Sequence, residues 1–184
     1  MMNNDTHDNA ANELDTRALT DAATLLSGQR WTSMATLDGN ETPLSSMVAC
    51  AIAPEHSGII FHLSRLAEHT GNILARPTVS LIFAEADDGR RDPQTLARLS
   101  LTGRALEVTP DDANHAALRD AYLQCFPSAE QRFGFADFVL FRFQPLSGNY
   151  VAGFARAWPL DGAGLNGLWT SVQDSDSKRS SIKP

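Results

Sequence analysis

The chain has 184 residues, 42% apolar and 20% charged, which is enough for one domain with a buried core. Its formal net charge of -7, from 15 basic and 22 acidic residues, argues against a general nucleic-acid or anionic-membrane binder, which needs a basic face. No apolar run approaches the roughly 20 residues of a membrane-spanning helix, and the N-terminus lacks the basic and apolar regions of a secretory signal.

Cys50 and Cys125 have neither metal-like spacing nor the pattern of a disulfide framework, so the expectation is a reduced, cytoplasmic protein. Residues 1–14 and 169–184 are polar and are expected to be disordered tails around one domain at 15–168.

From Thr16 to Leu26 apolar residues recur at helical spacing and Gly28 stops them. "RWTSMATLD" alternates as a strand and ends at Asp38-Gly39, a hairpin signal. "PLSSMVACAIA" returns and "GIIFHL" adds a third strand, making a meander over residues 30–63. A helix is predicted from Ser64, its N-cap, to Ala75, where Pro77 ends it. "TVSLIFA" reads as a strand buried on both faces, and "ARLSLTGRALEV" as a long strand bent at Gly103. Pro110 is predicted to open a third helix, and "FADFVLFRFQPL" and "NYVAGFARAWPL" to form two last strands. Short turns between strands call for a mainly antiparallel sheet, and many strands with helices to the side suggest a small barrel.

The segment "FHLSRLAEHTGNILARPTVSLIF" carries the chemistry. On a helix starting at Ser64, the side chains of Arg65, His69, Asn72 and Arg76 share one face. The bland reading is a solvated helix face. The sharper one is an anion grip, because a helix N-terminus directly after a strand presents backbone N–H groups that Ser64 and Arg65 complete. Ser45 and Ser46 on the neighbouring strand supply further hydroxyls. A zinc site is disfavoured, since adjacent Glu68 and His69 diverge by about 100° on a helix, and no metal ligand set is assigned. No G-x-S-x-G, G-x-G-x-x-G or Walker sequence occurs, and Cys50 in mid-strand reads as structural, so no catalytic residue is named.

"TLDGNETPLSSMVACAI", the segment above, "DPQTLARLSLTGRALEV" and "FADFVLFRFQPLSGNYVAGFARAWPL" follow the order seen in the pyridoxamine-phosphate-oxidase-like, FMN-binding split-barrel family. The chain resembles this family over residues 16 to 161, and more closely the branch of haem-utilisation proteins. The resemblance implies a mainly β (α+β) fold: a six-stranded antiparallel split β-barrel with flanking helices, paired as a homodimer with FMN at the interface. It implies that Ser46, Met47 and Val48 lie along the flavin, that Ser64 and Arg65 grip its phosphate, and that Arg98 reaches the neighbouring subunit's flavin. Leu66 and Ser46 stand where basic residues of the phosphate site are expected, and His69, Asn72 and Arg98 are the candidates to replace them.

The leading reading is therefore an FMN-dependent oxidoreductase acting on a small molecule. A haem-binding or haem-degrading protein, with one of His7, His56, His62, His69 or His115 as ligand, is the second reading. A flavin-binding sensor without turnover is the third, and a deazaflavin is an alternative to FMN.

Overall fold

The computed structural model describes residues 5–56, 58–153 and 156–180, and side-chain surroundings within 16–55, 58–153 and 156–175. Strand β1 (Trp31–Leu37) pairs antiparallel with β2 (Pro43–Ala49) across the Asp38-Gly39 turn, where the Asp38 carboxylate accepts the N–H groups of Asn40 and Thr42. After Cys50 the same run continues as β3 (Ala51–Ile52) but changes partner, pairing with β4 (Ile59–Ser64). On its other side β1 pairs with β5 (Thr78–Ala84), and β5 with β6 (Ala97–Val108). The long β7 (Phe138–Ala152) lies between β6 and β4. Because β2 and β3 are one continuous run, the order β2-β1-β5-β6-β7-β4-β3 curls into a six-stranded antiparallel barrel, with β8 (Ala157–Leu160) added beside β7. The β3–β4 ladder has only two residue pairs, and there the barrel is split.

Strand alternation sorts the side chains. Met34, Val48, Phe61, Leu81, Leu101 and Phe141 fill the barrel interior. Helix α1 (Asp5–Ser27) adds Ala18, Ala22 and Leu26 to that core, and α4 (Gly162–Ser180) adds Leu165, Leu168 and Val172. A second apolar cluster forms outside the barrel, where α3 (His115–Cys125) and the 3-10 stretch Pro127–Gly134 cover Ile60, Val108 and Leu140. Helix α2 (Glu68–Ala75) lies against β1 and β2 with Thr70 and Ile73 buried. Among the described residues no helix is long and apolar enough to cross a membrane.

Five sequence expectations change. The polar C-terminal segment is helical to Ser180, because Leu165, Leu168 and Val172 at spacings of three and four dock on α1, where a Cβ on Gly167 would meet Leu19 Cδ1 at 2.8 Å. The N-terminal segment belongs to α1 from Asp5 onward. The two last predicted strands are largely one: Pro145 falls at a register shift opposite Thr102/Gly103, so its missing N–H does not break β7, and a Cβ on Gly103 would clash with the Gln144 carbonyl. Helix α3 starts at His115, since residues 109–114 close turns through Asp112 N–H to the Thr109 carbonyl and His115 N–H to the Asp112 carbonyl. Strand β5 is buried on one face only, leaving Ile82 exposed.

Candidate functional site

Ser64 ends β4 opposite Phe138 and does not cap a helix. Its hydroxyl donates to Asp137 Oδ2 at 2.7 Å and accepts the Leu66 N–H at 3.1 Å. The Arg65 N–H donates to the Asp137 carbonyl at 2.6 Å, and its guanidinium Nη2 donates to Glu107 Oε1 at 2.7 Å. Both members of the predicted anion grip are therefore already engaged by carboxylate residues. Helix α2 begins four residues later than predicted, at Glu68, with Ala67 as an N-cap that makes no side-chain bond. The acidic Glu68 occupies the first turn, where the positive end of the helix would otherwise attract a phosphate. Leu66, in place of the expected cation, is 87% exposed.

The polar face of α2 is partly buried rather than freely solvated. Asn72 Nδ2 donates to Thr36 Oγ1 at 3.1 Å, and Arg76 pairs with Glu41 at 3.3 Å, so this face ties the helix to the β1–β2 hairpin. His69 is half-buried on the same helix, and burial lowers its basicity.

The three β2 residues divide between two faces. Ser46, opposite Met34, and Val48, opposite Thr32, turn toward the interior, while Met47, opposite Ser33, turns outward and is 50% exposed. Directly opposed residues share a face, so Met47, Ser33, Ile82, Ser100 and Asn149 form one outward row across five strands. Arg98 stands on the same outward face, two residues from Ser100 and opposite Ala84 and Val151. Its Nη1 donates to the carbonyls of Gln94 and Leu96, in a loop ordered by Arg90 binding Glu85 and Asp88. Within the chain, Arg98 is thus separated by β1 and β5 from the β2 residues expected to share its ligand.

A pocket not anticipated as a unit lies behind β4. A cavity of about 440 Å³ is lined by His62, Arg65, Glu107, His115, Arg119 and Phe133, among others. The His62 ring stacks on Phe133 at 3.8 Å and 5°, and meets Tyr122 edge-on at 5.8 Å. Burial first, then the charges of Arg132 and His115, pushes its imidazole down to about 4, and Nδ1 has no hydrogen-bond partner among the described residues. Arg119 lies over the Phe133 ring at 5.4 Å. The sequence signal was a histidine inside the apolar run of β4; its partners come from residues 107–140 and have no local signature. His7 and His56 lie outside the residues whose side chains are described. Cys50 is no nucleophile: burial, helped by Cys125, pushes its thiol up to about 12.

The family model for pyridoxamine 5'-phosphate oxidase matches residues 19–152. The chain is 39% identical over 118 residues to the chloroplastic haem oxygenase HOZ of Arabidopsis thaliana, covering 63% of this chain and 34% of that protein. It thus spans about a third of the length of that relative. It is 30% identical over 142 residues to the haem oxygenase HutZ of Vibrio cholerae, covering 72% of this chain and 74% of that protein. A solved haem-binding protein from Mycobacterium smegmatis superposes with a TM-score of 0.71 at 24% identity, over 83% of this chain and 60% of that one, and shares the fold.

Acid titration reports on the His62 environment. Its folded-state value is depressed, so the protein keeps full stability above the ordinary imidazole value of about 6.5 and loses it as pH falls toward about 4. The loss expected from this residue is up to about 3 kcal/mol. Urea midpoints of wild type and His62→Phe between pH 7.5 and 4.5 measure it: the variant should show the shallower acid decline, and equal declines contradict the assignment.

Proposed function

The chain belongs to the pyridoxamine 5'-phosphate oxidase family, and on that premise we propose that it is a haem-binding member that acts in haem turnover as a homodimer. The observation that carries this reading is the pairing of Ser64 with Asp137 and of Arg65 with Glu107. A flavin phosphate placed there would face two carboxylates and an acidic first helical turn, with Leu66 supplying no compensating charge. The residues present therefore do not fit FMN. They fit haem better: burial holds the imidazoles of His62 and His69 toward the neutral form, the form in which histidine ligates iron. The curated relatives HOZ and HutZ, both named haem oxygenases, support the same choice.

Bound haem would supply the iron that activates oxygen. The protein's part is to bind and orient the macrocycle and to exclude water around it. The barrel has one large face that no helix covers, and it carries Trp31, Met47 and Ile82 among short hydroxyl side chains. Large apolar side chains exposed together on one face support an interface there, and a second copy of the chain is the proposed occupant.

Two measurements test the proposal. Titration with haemin should give a saturable Soret band, while FMN fluorescence should stay unquenched over the same protein range; tight FMN binding with no haem band would overturn it. Light scattering should find a dimer for wild type and a monomer for Ile82→Glu, whose charge sits at the centre of the uncovered face; a monomeric wild type would remove the dimer from the account.

A further inference from the structure

The cavity of about 440 Å³ between α3, the Pro127–Gly134 stretch and the β4–β7 pair lies on the side of the barrel away from the uncovered β2-β1-β5-β6 face. Its volume falls within the ~300–1,000 Å³ usual for small-molecule sites. Of the eight residues predicted for a flavin, only Arg65 lines it, so it is a separate site.

Its wall joins cationic and apolar groups. His115 and Arg119 stand one turn apart on α3, so both reach the cavity from one helix face. Arg65 enters from the end of β4, but its Nη2 is bonded to Glu107 Oε1 at 2.7 Å, and these two wall charges cancel. Arg119 therefore gives the wall its net charge. Its carboxylate partners, Asp120 at 3.3 Å and Glu130 at 3.9 Å, lie outside the lining and are largely exposed. Ion pairs of that kind contribute little, so a ligand carboxylate can replace them, and a planar guanidinium matches a carboxylate with two parallel bonds. Phe133 holds this cation in place: the His62 ring covers it at 3.8 Å and the Arg119 guanidinium lies over it at 5.4 Å, which leaves ligand contact to other rings. Phe135 is such a ring. It meets Phe138 at 6.1 Å and 57°, and its 54% exposure leaves apolar area to cover.

We propose that this cavity binds a small aromatic monocarboxylate, with its carboxylate on Arg119 and His115 and its ring against Phe135. The proposal does not rest on the haem reading. One uncancelled positive charge suits one carboxylate. A phosphate dianion would bring a second negative charge toward Glu107 and leave Phe135 uncovered, and a neutral aromatic molecule would leave Arg119 to its exposed partners. In a chain of net charge -7, a cationic cavity is a local feature of the fold and does not follow from composition.

Fluorescence titration of the full chain with 2-naphthoate, beside the uncharged 2-naphthalenemethanol, tests it. Wild type should bind 2-naphthoate saturably and the alcohol about tenfold more weakly, the difference made by one charge-assisted contact. Inorganic phosphate should not displace the bound naphthoate. Arg119→Gln should weaken naphthoate binding about tenfold. Phe135→Ser changes an exposed side chain, keeps the proposal testable should Arg119→Gln unfold, and should weaken binding about fivefold. Absence of saturable naphthoate binding, equal binding of the alcohol, or affinities of the folded variants within twofold of wild type would each overturn the proposal. Displacement by phosphate would make the cavity a bare anion site and overturn the aromatic assignment. Because no arm of the test uses haem, its failure leaves the haem reading standing.

Discussion

The barrel depends on one run of chain, residues 43–52, that hydrogen-bonds to two different neighbours. Up to Ala49 it pairs with β1; the Cys50 N–H still donates to the Arg30 carbonyl; from Ala51 it pairs with β4. This change of partner curls the sheet into a barrel that stays split where the β3–β4 ladder has only two pairs. It also fixes three surfaces. The interior takes Met34, Val48, Leu81 and Phe141, the β2-β1-β5-β6 side stays uncovered, and the β3-β4-β7 side is closed over by α3.

Those surfaces explain why a conserved-looking arrangement of motifs need not carry the expected ligand. Ser64 and Arg65 arrive at the end of β4 as the family pattern requires. Yet β7 lies beside that end and β6 beyond it, and two carboxylates come with them: Asp137 just before β7 and Glu107 on β6. Local sequence suggests an anion grip, and in the fold its Ser64 and Arg65 side chains bond Asp137 and Glu107. The same closure packs His62 against Phe133 and Tyr122, so a histidine inside the apolar run of β4 becomes a buried imidazole held toward its neutral form.

Much of the architecture was legible because it is written in local periodicity. The β1–β2 hairpin, the alternation of β4 and β6 and the antiparallel barrel all follow from period-two patterns and turn residues. The misreadings came where distant contacts decide. Ser64 looks like a helix cap until Asp137, 73 residues away, claims its hydroxyl. The 169–184 segment looks like a tail until α1 buries Val172, and Pro145 looks like a strand end until the shift at Gly103 accommodates it. At the site, the candidate residues were found singly. Their pairing with Glu41, Glu107 and Asp137, and the gathering of His62 with His115 and Arg119, span intervals no local motif reports.

The central claim is that carboxylates close the phosphate grip. The most direct measurement is the FMN affinity of wild type against Glu107→Gln/Asp137→Asn, by fluorescence titration of folded protein. Releasing Arg65 and Ser64 should raise affinity at least tenfold, in line with the ~1.5–3 kcal/mol of a charge-assisted contact. Equal affinities in the two proteins would contradict the account.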